Sequence, residues 1–189
     1  MKKQIILASV LGALALPVMA DGFYLTGDVG QSKFEVDAGN DFNLSKTDTT
    51  YSIGAGYDFN KFFAAEVAYR DLGSITDSGS GSDQFGDYTW STKFSATAFQ
   101  ASVVGRLPVS DVVSVYGRLG IAKIDIDVKN TDSDLPDDNY SESKTKGLFG
   151  VGVSYDITPQ FAVRAEYNQY AKWDDIKLSA LTVGATYHF

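Results

Sequence analysis

Tyr57–Tyr69, YDFNKFFAAEVAY, returns 98 residues later as Tyr155–Tyr167, YDITPQFAVRAEY. Five of the 13 positions are identical: the opening Tyr-Asp, the Phe-Ala after the turn and the closing Tyr. Each copy reads as a strand end, a tight turn and a returning strand. Where the first copy carries Glu66, the second carries Arg164. A repeated hairpin with opposite charges at matching positions points to a closed sheet with ion pairs inside it.

The same alternation extends over the rest of the chain. Eight segments have period two, at about 23–34, 49–59, 62–72, 94–107, 113–124, 145–157, 161–170 and 177–189. In the third, Phe63, Ala65, Val67 and Tyr69 oppose Ala64, Glu66, Ala68 and Arg70. In the fifth, Val113, Val115, Leu119 and Ile121 oppose Ser114, Tyr116, Arg118 and Gly120. In the seventh, Phe161, Val163, Ala165 and Tyr167 oppose Ala162, Arg164, Glu166 and Asn168. The connections at Asn60-Lys61, Pro108–Val112 and Thr158–Gln160 are short. Those at Glu35–Asp48, Gly73–Lys93 and about Asp125–Lys144 are long, polar and rich in Gly, Ser and Asp, with Ala171–Ile176 the exception. Short turns on one side and long loops on the other fit an eight-stranded antiparallel up-and-down transmembrane β-barrel. The segments also reach the ~9–11 residues that a tilted spanning strand needs.

Alternation alone does not say which face is outside. The polar face decides: it holds Gly, Ala, Ser and Thr, with a few charges of both signs near mid-strand. These charges are Asp28, Glu66, Arg118, Arg164 and Glu166. An Arg facing lipid at the bilayer midplane costs about 2–4 kcal/mol, and a one-residue register slip would expose these groups together. The expectation is an all-β barrel with an aliphatic and aromatic stripe towards lipid and a narrow polar lumen. Two aromatic girdles are expected. Phe23, Tyr57, Phe59, Phe63, Tyr155, Phe161, Tyr187 and Phe189 lie at the short-turn end, and Tyr69, Trp90, Phe94, Tyr167, Tyr170 and Trp173 towards the long-loop end.

The bulk composition agrees. Lys2 and Lys3, an apolar run from Ile5 to Val18, and Val18-Met19-Ala20 read as a signal peptide over residues 1–20, with the barrel domain at 21–189. Removing the first 20 of 189 residues leaves 169, enough for one domain. The chain has no cysteine, so an exported protein of this kind depends on packing or lipid rather than disulfides. Its formal charge of −8 becomes −10 without Lys2 and Lys3, which argues against nucleic acid as a partner.

The chain resembles the outer-membrane domain of the OmpA/OmpX-type barrels. The resemblance rests on GFYLTGDVG, GYDFNKFFAAEVAYRDLG, VSVYGRLG, GVSYDITPQFAVRAEY and the ending LTVGATYHF. It implies a location in the cell outer membrane and contact with lipids and lipopolysaccharide. It also implies insertion by the barrel-assembly machinery, which reads a terminal aromatic strand, here carrying Tyr187 and Phe189. Two-domain members continue into a peptidoglycan-binding domain, and cell-wall binding is not carried over to this chain. In the family a third-strand carboxylate pairs with a seventh-strand arginine, which by resemblance are Glu66 and Arg164. Members also place a lysine in the fourth-strand lumen, where this sequence offers Gln100, Ser102 and Arg106.

Catalysis has little to stand on. Hydrolysis usually needs a base poised near neutral pH, and the one histidine, His188, is penultimate, at the end away from the long loops. Asp132, Asp134, Asp137 and Asp138 resemble calcium ligands but lack the Gly and terminal Glu of an EF-hand loop, so no metal or cofactor is expected. Gly73–Ser91 reads as low-complexity and mobile, with Phe85, Tyr88 and Trp90 either available to a partner or capping the girdle. The expectation is a non-enzymatic envelope barrel with a structural or surface-interaction role through its long loops. A narrow channel for ions or small solutes is the first alternative, and an adhesin or immune-evasion protein the second.

Overall fold

The computed structural model describes residues 22–37, 43–83, 86–132, 138–173 and 176–189. Eight strands follow in chain order: β1 (Phe23–Asp37), β2 (Asn43–Asn60), β3 (Phe63–Asp83), β4 (Gly86–Pro108), β5 (Val113–Asp132), β6 (Asp138–Asp156), β7 (Phe161–Trp173) and β8 (Ile176–His188). Each strand pairs antiparallel with the next, and β8 returns to β1 to close the barrel. The expected architecture is therefore present. The segment read as a signal peptide lies outside the described residues.

The phase of the strands matches the alternation. Val67, Leu119, Val163 and Val183 point outward and are exposed, while their neighbours Glu66, Arg118, Arg164 and Thr182 are buried inside. At the short-turn end the outward rings touch: Phe23 and Tyr57 have centroids 4.8 Å apart, Tyr57 and Phe59 5.4 Å, and Tyr187 and Phe189 5.3 Å. Near the other end Tyr51, Tyr69 and Tyr167 face outward. Tyr170 does not join that girdle: it is fully buried inside the barrel, and Phe94 shares the lumen-side phase of buried Ala96 and Ala98. The side chains of Trp90 and Trp173 lie outside the described set.

The long polar connections are a second correction. Most of their residues are strand. The β3–β4 pairing runs up to Asp83↔Gly86, and β5–β6 up to Asn130↔Asp138. The β2–β3 pairing ends at Tyr51↔Asp71, and β6–β7 at Leu148↔Tyr170. Strands β3 to β6 therefore rise above the rest of the rim as a four-stranded wall. A bulge between Asp71 and Ser74 marks where β3 leaves β2. Gly73 sits there at φ +93°, a conformation that disfavours any side chain. The Asp71 carboxylate accepts from the Gly73 N–H at 2.7 Å, and that of Asp48 accepts from the Ser74 N–H at 2.6 Å.

The apolar stripe changes face where the wall begins. In β5, Leu119 and Ile121 point outward, but Ile124 is buried inside and Ile126 packs against the same interior cluster. The same step of three separates Tyr69 from Leu72, Tyr167 from Tyr170, and Leu181 from Leu178. Below the step the surroundings are hydrocarbon, so the apolar side chains face out. Above it they are water, so apolar side chains turn inward as in a soluble sheet.

Candidate functional site

The lumen is layered. At the short-turn end a vestibule of about 260 Å³ is lined by Lys61, Arg106, Asp156 and His188, among others. There Asp58 pairs with Arg106, and the His188 Nε2 lies 3.3 Å from the Asp58 carboxylate. Tyr24, Ala64, Val104 and Tyr116 cluster as a partial apolar layer, and the vestibule reaches past it to Glu66 and Arg164. Above that layer lie the buried charges. Above those, Leu72, Ala96, Ala98, Ala122, Ile124, Leu148, Tyr170 and Leu178 form a second apolar layer, with Phe34 and Ile126 packed against it.

Asp28, Glu66, Arg118, Arg164 and Glu166 are brought together between the two layers. Arg164 grips Asp28 through both fork nitrogens, Nε to Oδ1 and Nη2 to Oδ2, each at 2.7 Å. Its third nitrogen donates to Glu66 at 3.0 Å. The other Glu66 oxygen is 2.6 Å from Arg118 Nη2. Arg118 continues to Glu166 at 3.1 Å and donates to Ser102 at 3.0 Å. Ser52 donates to Asp28 at 2.8 Å, the Tyr24 hydroxyl to Glu66 at 3.3 Å, and Asn168 to Glu166.

A sixth member was missed from sequence. Arg70, which shares the lumen phase of Glu66, is 2% exposed, and its Nη2 lies 3.8 Å from Asp28. The six charges therefore form an alternating chain: Arg70, Asp28, Arg164, Glu66, Arg118, Glu166. Three are cationic and three anionic, so the set is electroneutral. The available signal was the spacing: Arg70 is four residues from Glu66 on the same face. Counting signs would also have left one carboxylate in excess. Arg70 is the loosest member, since its Nε and Nη1 have no hydrogen-bond partner.

All six residues come from odd-numbered strands, as expected of a small closed sheet whose interior fills in layers from alternate strands. Even strands make room. Gly56 pairs with Glu66, Gly152 with Glu166, and Gly184 with Arg164. A Cβ at Gly56 would strike the Tyr24 ring, one at Gly152 the Tyr116 ring, and one at Gly184 the Asp28 carboxylate. The glycines opposite the large lumen groups are a volume requirement.

On the fourth strand, Ser102 touches the chain, Gln100 donates to Tyr170 at 2.5 Å, and Arg106 belongs to the vestibule. Tyr187 faces outward beside Phe189 in the lower girdle. No group of three or more metal-ligating side chains occurs among the described residues. Asp134 and Asp137, and the side chains of Asp132 and Asp138, lie outside them, as do Phe85 and the side chain of Tyr88. The vestibule reaches Glu66 and Arg164 from the short-turn end, while the upper apolar layer covers the charges towards the long-loop end.

Residues 6–189 match the family described as outer membrane protein beta-barrel domain. The attachment invasion locus protein of Yersinia enterocolitica is 35% identical over 81 residues, 43% of this chain and 42% of that protein. Its Yersinia pseudotuberculosis counterpart is 24% identical across 100% of this chain and 98% of its own length. Outer membrane protein P5 of Haemophilus influenzae is 27% identical over 88% of this chain and 51% of its own length, so the chain spans about half of P5. Among solved structures, Ail of Yersinia pestis in complex with the heparin analogue sucrose octasulfate superimposes with a TM-score of 0.57. The sequence identity is 21%, with 89% of this chain and 99% of that one covered.

Proposed function

We propose, from the premise that the chain belongs to the outer membrane protein beta-barrel family, that it is a sealed barrel whose work is done outside the membrane. It lies in the outer membrane, and its β3–β6 wall is the surface offered to extracellular partners. The observation that carries this reading is the buried apolar layer of Leu72, Ala96, Ala98, Ala122, Ile124, Leu148, Tyr170 and Leu178 that lies above the charge chain. A conducting pore needs a wet path. Here, above the vestibule, the interior is filled by side chains, as an eight-stranded barrel permits. The alternating chain is then a structural spoke set that ties β1, β3, β5 and β7 together across the lumen.

The relatives support a surface role. Two bear the name attachment invasion locus protein, and the Yersinia pestis Ail was solved with a heparin analogue. We read this chain as non-catalytic, its His188 being held beside Asp58 at the periplasmic end. Lipids and lipopolysaccharide surround the outward stripe, and Tyr187 and Phe189 present the terminal strand to the assembly machinery. Nucleic acid is no partner of so acidic a chain.

The test has two arms. In planar bilayers the purified protein should give no single-channel openings; regular openings would restore the channel reading. Cells carrying the protein should bind host matrix. Replacing residues 75–94 and 125–143 by tight turns should abolish that binding while the protein keeps its heat-modifiable gel migration. Unchanged binding by the trimmed barrel would contradict the proposal.

A further inference from the structure

The vestibule at the short-turn end is a blind cavity of about 260 Å³, closed towards the long-loop end by the upper apolar layer. Main-chain hydrogen bonds give it two walls. On one, the Arg106 N–H donates to the Phe62 carbonyl at 2.7 Å, which sets Arg106 against the β2–β3 turn that carries Lys61. The Asn60 side chain holds that turn, accepting from the Phe62 and Phe63 N–H groups at 2.8 and 3.0 Å. On the other, the Asp156 N–H donates to the Val112 carbonyl at 2.8 Å, which sets Asp156 against the β4–β5 turn that carries Asp111. Lys61, Arg106, Asp111 and Asp156 all line the cavity. One wall is therefore basic and the other acidic.

Neither wall is neutralised from within. Asp58 takes Arg106 through Nη1 and lies 3.3 Å from His188 Nε2, which leaves the other fork nitrogens of Arg106 outside that pair. The Tyr24 ring centroid is 5.2 Å from the same guanidinium. Among the described residues Lys61, Asp111 and Asp156 join no salt bridge. The floor adds no net charge, because Glu66 and Arg164, which reach it, are bonded to each other at 3.0 Å. Between the walls stand the hydroxyl groups of Ser114, Ser154, Thr186 and Tyr116. Tyr116 is 5% exposed and its hydroxyl has no hydrogen-bond partner, so a donor or acceptor is open at the inner end of the site.

We propose that the vestibule binds a small zwitterion from the periplasmic side, its carboxylate on Arg106 and Lys61 and its ammonium on Asp111 and Asp156. A simple anion would answer the basic wall and leave both aspartates without a partner. A simple cation would do the reverse. A ligand with one charge at each end answers both walls at once, through charge-assisted hydrogen bonds, while the hydroxyl groups between them accept or donate as needed. The size agrees. The cavity, at about 260 Å³, lies below the ~300–1,000 Å³ of pockets that enclose drug-sized ligands, which suits a molecule no larger than an amino acid. This site is separate from the extracellular wall and needs no passage through the barrel.

The probe is γ-aminobutyrate, titrated against the full chain in lipid nanodiscs and followed by saturation-transfer NMR. Butyrate and butylamine, which share its carbon chain but carry one charge each, are the controls. γ-Aminobutyrate should bind about ten-fold more tightly than either control. Asp111→Asn/Asp156→Asn should erase its advantage over butyrate. Lys61→Gln should weaken γ-aminobutyrate and butyrate alike and leave butylamine unchanged. These three positions lie at the exposed ends of the strands and turns, and heat-modifiable gel migration checks that each variant is folded. Equal affinity for the three probes, no saturable binding of γ-aminobutyrate, or an advantage over butyrate that survives in the folded aspartate variant overturns the proposal.

Discussion

Glu66→Ala tests the charge chain at its centre. Glu66 holds Arg164 at 3.0 Å and Arg118 at 2.6 Å, and accepts from Tyr24 at 3.3 Å. Removing one partner from a buried ion pair costs about 3–5 kcal/mol. Here each arginine keeps another carboxylate, Asp28 or Glu166, so the loss should fall near the lower bound, about 3 kcal/mol. The variant also leaves the lumen with one excess positive charge. Removing Arg70 restores the balance and leaves two closed pairs, Arg164 with Asp28 and Arg118 with Glu166. Arg70 has one contact at 3.8 Å and two unpartnered nitrogens, so Arg70→Met alone should cost less than about 1 kcal/mol, because a desolvated, poorly bonded cation is replaced by an apolar chain. The double variant should be more stable than the sum of the single effects, by a coupling of about 1 kcal/mol. Equilibrium urea unfolding in lipid vesicles, followed by circular dichroism, measures all three. A Glu66→Ala cost below about 1 kcal/mol, or an Arg70→Met cost as large as that of Glu66→Ala, would refute the reasoning.

Other perturbations separate the layers. Gly152→Val places branches in the Tyr116 ring and should cost about 1–3 kcal/mol through overpacking. Gly117→Ala faces outward, with the nearest atom 3.9 Å from its Cβ, and should change stability by less than about 0.5 kcal/mol in the same unfolding assay. Leu178→Ala empties part of the upper apolar layer and should cost about 2–5 kcal/mol. Leu181→Ala, on the exposed outer stripe, should cost clearly less in the same titration, since no buried cavity forms. Val183→Arg, outward near mid-strand, should cost about 2–4 kcal/mol in vesicles, and a neutral result would mean that this face never meets hydrocarbon.

The strands within the membrane were legible because one wrong register exposes every lumen charge at once. Glu66 against Val67 and Arg164 against Val163 leave one acceptable phase. The wall was illegible for a related reason. The alternation Ile124, Asp125, Ile126, Asp127, Val128 continues with the apolar residues on the opposite face. Read with a single phase, the pattern breaks at Leu72, Ile124 and Tyr170, and the expected strands end there. The step of three is a change of solvent, not a turn. Tyr170 was assigned to the girdle by its height in the strand, although its parity with Glu166 and Asn168 placed it inside. Arg70 carried the right parity but no partner near in sequence, since Asp28 meets it only across the register Asp28↔Ser52↔Arg70 of three paired strands.

The central claim is that the aliphatic stripe meets hydrocarbon while the charges are enclosed by the barrel. Nitroxide scanning of β7 in liposomes, position by position from 162 to 167, tests it directly through collision with dissolved oxygen. The expected profile has maxima at 163, 165 and 167 and minima at 162, 164 and 166. The reverse pattern, or a profile without period two, would contradict the account.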